Sequence, residues 1–212
     1  MRKSYIVSAK RTAIGSFLGG LATVKPKDMG SAVVKALLED ANVAPENVDE
    51  VICGNVLGAG LGQNIGRTIA LEAGIPETVC AHSVNMVCGS GLRTVMEAVM
   101  SIQCGFNDIV VAGGVESMSG APYLIPANTR TGNKMGNFTV VDHMIYDALT
   151  DARANIHMGV TAENIAKKYN ITREEQDAFG YASQQKAIAA VDSGRFKDEI
   201  VPITVHLKKQ DV

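Results

Sequence analysis

Ser83-Val84-Asn85-Met86-Val87-Cys88-Gly89-Ser90-Gly91-Leu92 is the stretch on which the fold turns. Ala81 to Val87 is short and mostly apolar, the pattern of a buried strand. Downstream, Leu92, Val95, Met96, Val99 and Met100 recur at i, i+3, i+4, i+7 and i+8, which predicts a helix with that face in a core. A cysteine at such a strand-to-helix turn faces the positive end of the helix dipole and several free backbone N–H groups. Both favour the thiolate, the form that attacks carbonyls. Gly89 and Gly91 carry no side chain to obstruct an approaching ester. Free cysteines are also often small buried apolar residues; the flanking glycines and the helix start favour the reactive reading of Cys88.

Outward from this stretch, strand-like and helix-like segments alternate. Tyr5 to Ser8 predicts a strand, and 27–41 a helix with Val33, Val34, Leu37 and Leu38 on its apolar face. Val51 to Leu57 is strand-like and Asn64 to Ala73 helix-like. Asp108-Ile109-Val110-Val111-Ala112-Gly113-Gly114 is a short apolar run ended by glycines, as in a central strand covered on both faces. Repeated βα units imply an α/β fold with a mostly parallel central sheet and helices on both sides.

After Ser117 the character changes. Residues 118–147 hold Gly120, Pro122, Pro126, Gly132 and Gly136 with weak periodicity, a long excursion from the sheet. A helix is expected from about Thr161 to Tyr169. A second, announced by the capping box Thr172…Glu175, runs to about Val191. Glu199 to His206 is extended. A strand-like ending with no following partner suggests a chain that stops inside a domain.

The chain has 212 residues, 46% of them hydrophobic and 20% charged, with a formal net charge of −2. That length buries a real core, and the near-neutral balance gives no reason to expect nucleic acid or a membrane surface as partner. No apolar run approaches the ~20 residues of a membrane span, and the first residues lack the apolar stretch of a signal peptide. A cytoplasmic protein is expected. Cys53, Cys80, Cys88 and Cys104, like His82, His143, His157 and His206, are scattered without metal-ligand spacing, so no metal site and no disulfide is expected.

Gly58-Ala59-Gly60-Leu61-Gly62 invites a dinucleotide-binding reading, but Gln63 stands where the third glycine belongs, and a tight βα turn accounts for it better. A cysteine nucleophile is usually served by a base, often histidine. His157, in Asn155-Ile156-His157-Met158-Gly159, sits beside apolar residues just before a helix; a loop histidine is also commonly a plain solvated side chain. Glu116 follows the Gly113-Gly114 turn at the carboxyl end of a strand, the edge where open α/β sheets bind ligands. A structural hydrogen-bonding carboxylate explains it equally well. Arg130, Lys134, Lys167 and Lys168 are either ligands for a phosphorylated compound or solvated surface.

Taken together, these residues resemble the thiolase family, in its short-chain acetoacetyl-CoA branch. The resemblance is carried by Ser8-Ala9-Lys10-Arg11-Thr12-Ala13-Ile14-Gly15-Ser16-Phe17, Gly60-Leu61-Gly62-Gln63-Asn64, Asn85 to Gly91, Gly113-Gly114-Val115-Glu116-Ser117-Met118-Ser119 and His157 to Asn164, in family order along essentially the whole chain. It implies a thiolase-like layered βα domain over 1–118, part of an inserted loop domain over 119–212, and an absent carboxy-terminal domain. It further implies that Cys88 accepts the acyl group, its own N–H serving as one oxyanion donor. Leu149, His157 and Met158 would line the pocket for the pantetheine arm and acyl group. Arg130 and Lys134 would lie in the loop that family members use for tetramer assembly.

The implied reaction condenses two acetyl-CoA to acetoacetyl-CoA and CoA, or reverses that by thiolysis, with CoA thioesters as substrates and no cofactor. The full-length form would be a homo-oligomer, dimer or tetramer. Family subunits are about twice this length, and their second half supplies an Asn-Glu-Ala-Phe asparagine, a Gly-His-Pro histidine and a Cys-x-Gly cysteine that this sequence lacks. The 212 residues alone are therefore expected to be inactive. The alternative is a non-catalytic half-length scaffold or acyl-CoA-binding subunit that needs a partner chain.

Overall fold

The computed structural model describes residues 2–206 and 211–212. Its centre is a parallel three-stranded sheet of β1 (Glu50–Gly54), β2 (Cys80–Val84) and β3 (Val110–Gly114) in the order β2-β1-β3. Gly54 stands opposite both Val84 and Gly114, so the three carboxyl ends lie at one edge. Around the sheet are α1 (Pro26–Asp40), α2 (Ile65–Glu72) and α3 (Ser90–Cys104). Beyond it come a small antiparallel pair, β4 (Tyr123–Leu124) with β5 (Val141–Asp142), and the helices α4 (Met158–Tyr169) and α5 (Arg173–Asp192).

The period-2 alternation of β1 sorts the helices onto two faces. Val51 and Cys53 point into a cluster with Val34, Leu38, Ile65, Ile69 and Ala70, the buried stripes of α1 and α2. Gly54, on the opposite face with Ile52, lies under the start of α3: a Cβ there would meet the Ser90 carbonyl carbon at 2.8 Å and the Gly91 nitrogen at 2.9 Å. Helices on both faces of a parallel sheet follow, as expected. Pro26 opens α1 at its first position, and the Asn64 side chain caps α2 by accepting from the Arg67 N–H.

The face by which α3 packs differs from the expectation. Ser90, Thr94 and Ala98 face the sheet, while Leu92, Met96 and Met100 remain 70%, 48% and 44% exposed. Size decides this. Strands β1 and β3 end in glycines, and only small side chains at i, i+4 and i+8 let the helix approach so closely. Thr94, fully buried, has its hydroxyl 2.7 Å from the Gly91 carbonyl and 3.1 Å from that of Gly113, which ties α3 to β3. Strand β2 is likewise only half-buried, because it is an edge strand. It ends at Val84, and β1 at Gly54, each three residues short of the expected end.

Tyr5 to Ser8 forms no ladder. The segment 2–12 is held by an ion pair of Arg2 with Asp108, just before β3, and by the bonds of Ser8 and Lys10 to Asp40 at the end of α1, at 2.6 and 2.8 Å. A cleft of about 240 Å³ separates part of this segment from the sheet. Arg11 instead bridges Ile200 in parallel, through Arg11 N–H to Glu199 (2.8 Å) and Val201 N–H to Arg11 (2.8 Å).

The buried residues lie almost wholly in the first half. Among the described residues, His143 alone is buried beyond Val111. The capping box of α5 forms as expected, with Glu175 N–H to Thr172 Oγ1 at 3.2 Å and Thr172 N–H to Glu175 Oε2 at 2.8 Å. Even so, α4 and α5 bury no residue completely. The chain exposes 14814 Å², whereas a closed monomer of this mass exposes about 9,400 Å². Its apolar surface is therefore far from fully covered. No helix among the described residues is long and apolar enough to cross a membrane.

Candidate active site

The carboxyl edge of a parallel sheet is where strands stop and helices begin, so backbone N–H groups and loop side chains converge there. Here the chain leaves β2 at Val84, turns through Asn85–Gly89 and enters α3 at Ser90. Cys88 sits in that turn, two residues before the helix, exposed and unpaired with another cysteine.

The turn is wound tightly. Val87 takes φ 48, the left-handed region, which β-branched residues avoid. Three interactions close it. Gly89 N–H donates to the Met86 carbonyl at 3.1 Å, Ser90 N–H to the Val87 carbonyl at 3.1 Å, and Val87 N–H to Asn85 Oδ1 at 3.0 Å. The Ser90 hydroxyl, buried under the helix, accepts from Met86 N–H at 2.8 Å and donates to the Val87 carbonyl at 2.7 Å.

Exposure separates the thiols chemically. Burial pushes Cys53 up to about 11, and the Glu116 charge adds to that, so Cys53 stays a protonated and unreactive thiol near neutral pH. Cys80 and Cys104 are exposed as well, at the opening of β2 and the last turn of α3. Cys88 alone of the four stands at a helix start.

Glu116 takes the structural of its two readings. Its carboxylate accepts from Val56 N–H (2.9 Å), Leu57 N–H (2.9 Å) and Asn55 Nδ2 (3.1 Å), and Asn55 Nδ2 also donates to the Val115 carbonyl (3.0 Å). These bonds clamp the ends of β1 and β3 together. The glycine-rich stretch 58–62 forms a tight turn, with Gly60 and Gly62 at φ 78 and 92.

The fold brings Leu149, His157 and Met158 together. Met158 N–H donates to the Leu149 carbonyl at 2.8 Å, Thr150 and His157 form an antiparallel bridge, and Asp151 N–H donates to Ile156 at 2.9 Å. His157 caps α4, its Nδ1 accepting from Gly159 N–H at 3.0 Å, so the ring hydrogen resides on Nε2. Among the described residues no hydrogen bond joins His157 or any other imidazole to Cys88. Arg130 and Lys134 are exposed, and Lys167 and Lys168 occupy the last turn of α4, where they complement its dipole.

Two histidines that the sequence left unassigned hold the edge in place. Buried His143 accepts from Ala59 N–H at 3.4 Å through Nε2, and its Nδ1 lies 2.5 Å from Asp147 Oδ2. It thereby docks the excursion onto the glycine turn. The i,i+4 spacing of His143 and Asp147 was the available signal. His82 lies between Glu50 (3.2 Å) and Glu97 (3.3 Å), a cross-strand and strand-to-helix contact with no local signature.

An exposed cysteine thus stands at a helix start on the carboxyl edge of a parallel sheet. Among known families, the model described as "Thiolase, N-terminal domain" matches residues 4–212. This chain belongs to the thiolase family. It is similar to acetyl-CoA acetyltransferases of Chromobacterium violaceum (55% identical over 97% of this chain and 52% of the relative), Pseudomonas aeruginosa (53%, over 99% and 53%) and Escherichia coli (51%, over 99% and 53%). The chain spans about half the length of the curated relatives it matches.

Proposed function

We propose that this chain is the amino-terminal part of an acyltransferase that condenses two acetyl-CoA to acetoacetyl-CoA and CoA, or runs that reaction in reverse. The observation that carries the reading is the exposed Cys88 thiol on a strained turn at the start of α3. In the first stage the Cys88 thiolate attacks the acyl carbonyl carbon. The carbon–sulfur bond to CoA breaks, and the departing CoA thiolate takes up a proton equal to the one the Cys88 thiol gave up to become the thiolate. In the second stage the α-carbon of another acetyl-CoA, deprotonated by a base outside these residues, attacks the Cys88 thioester. The new carbon–carbon bond releases the Cys88 thiolate. Sulfur suits both stages, being a good nucleophile and a good leaving group.

On this reading the Leu149, His157 and Met158 cluster forms one wall of the acyl and pantetheine pocket, which their backbone contacts support. Facing walls, and the base for Cys88, belong to the part of the family's length outside this chain. The same reading proposes a cytoplasmic homo-oligomer in which 1–118 form the sheet domain and 119–212 part of a loop domain. Incubating the full-length protein with acetyl-CoA tests the function. One acetyl group added to the intact mass, with one equivalent of CoA released, is the expected result; no adduct in the folded protein contradicts it.

The absence of an imidazole bonded to Cys88 among the described residues favours a second reading, a half-subunit that binds acyl-CoA and reacts only with a partner chain. Adduct formation that depends on adding a second polypeptide would select that reading.

A further inference from the structure

We infer that Ser90 is the positioning residue of the acyl-accepting turn: its buried hydroxyl locks Met86 to Val87 and so holds Val87 in the left-handed conformation that presents Cys88. This rests on the reading of Cys88 as nucleophile and goes beyond it, because Ser90 touches no reacting atom. The argument begins with strain. A β-branched residue at φ 48 is sterically unfavourable and persists only where its surroundings over-determine it. Val87 is 47% exposed, so packing of its side chain does not hold it there.

What does hold it is a ring of short bonds. Ser90 Oγ accepts from Met86 N–H at 2.8 Å and donates to the Val87 carbonyl at 2.7 Å, gripping both ends of the Met86–Val87 segment. One hydroxyl uses its donor and one lone pair at once, which no apolar residue of that size reproduces. Ser90 itself cannot drift. It is 5% exposed, and its carbonyl carbon would lie only 2.8 Å from a Cβ on Gly54. The sheet therefore fixes Ser90, Ser90 fixes Val87, and Val87 fixes the direction in which the next residue, Cys88, leaves the turn.

The test uses the full-length protein as its own reading frame encodes it, with acetyl-CoA as acyl donor and iodoacetamide as thiol probe. Ser90→Ala slows acylation of Cys88 by about tenfold to a hundredfold, the usual cost of misplacing a reacting group. Alkylation of Cys80 and Cys104 keeps its rate, showing that the fold is intact. Glycine adopts left-handed backbone without strain, so adding Val87→Gly to Ser90→Ala restores most of the lost rate. A role for Ser90 in helix packing alone predicts no such rescue.

Wild-type acylation rates in Ser90→Ala, or a loss that Val87→Gly leaves untouched, would overturn the inference. Failure of Cys88 acylation in the wild-type protein would instead overturn the function proposed above. If Ser90→Ala does not fold, Val87→Gly alone decides. Relief of strain leaves its thermal midpoint equal to or above wild type, and a midpoint lower by several degrees refutes the strained turn.

Discussion

Val87, Gly54 and Ser90 are three residues with no chemistry of their own that decide where a sulfur atom stands. Val87 accepts a conformation costing on the order of 1–2 kcal/mol; Gly54 supplies the space for α3 to sit on β1; Ser90 joins the two. The Gly54 contact makes a sharp prediction. A methyl group there would lie 2.8–3.0 Å from backbone and Cβ atoms of Ser90 and Gly91, none of which can swing aside. Gly54→Ala is therefore expected to destabilise the protein by about 1–3 kcal/mol, as overpacking does, and to slow Cys88 alkylation because the start of α3 must shift. Urea unfolding and iodoacetamide kinetics measure the two effects. An unchanged midpoint together with an unchanged alkylation rate would refute the close seating of helix on strand. The place of Cys88 on a turn just before a helix was legible in sequence from its glycines and the helix that follows. The strain at Val87 was not, since no local pattern announces a left-handed valine.

At the scale of elements, α3 is tied to the sheet by polar contacts as well as apolar ones, through Thr94 to Gly113 and Glu97 to His82. Arg93 donates to Glu97 at 2.7 Å and His82 of β2 lies 3.3 Å from the same carboxylate. The Arg93 bond holds the Glu97 carboxyl below its ordinary value of 4.5, with His82 contributing. Because the native value is the lower one, the stabilisation is complete above about pH 4.5 and disappears as pH falls through the native value. Glu97→Gln should thus lower the thermal midpoint near neutral pH, with the deficit shrinking as pH falls below 4.5 and through the native value. A deficit that persists in acid would place the role of Glu97 elsewhere.

The cap of α5 gives a second expectation. Thr172→Ala removes the N-cap bond and costs about 1 kcal/mol, read as faster amide exchange in the first turn of α5 with the β1–β3 core unchanged. The capping box was plain in sequence because it is local. The face of α3 was misjudged because periodicity marks an apolar stripe without saying what covers it. Leu92, Met96 and Met100 make a good stripe, yet the glycine-ended strands admit only Ser90, Thr94 and Ala98.

At the scale of the molecule, a closed core in residues 29–111 carries a large, weakly packed second half. The exposed stripe of α3, together with Phe179, Tyr181 and Val191 on α5, leaves more apolar surface than a soluble monomer usually presents. The 212-residue chain by itself should bind a hydrophobic dye strongly and self-associate in sedimentation velocity. Leu92→Glu with Met96→Glu should reduce both; dye binding unaffected by the pair would mean that the stripe is covered in solution. The family was readable from motifs spread along the chain. The walls of the pocket were not, because Cys88 stands on open surface and the 240 Å³ cleft, lined by α1, Cys53 and Val111 to Glu116, does not include it. The most direct test is to map the acetyl group after reaction of the full-length protein with acetyl-CoA. It is predicted as a hydroxylamine-labile thioester on the peptide bearing Cys88, whereas an acetyl group on Cys53, Cys80, Cys104 or a serine would contradict the account.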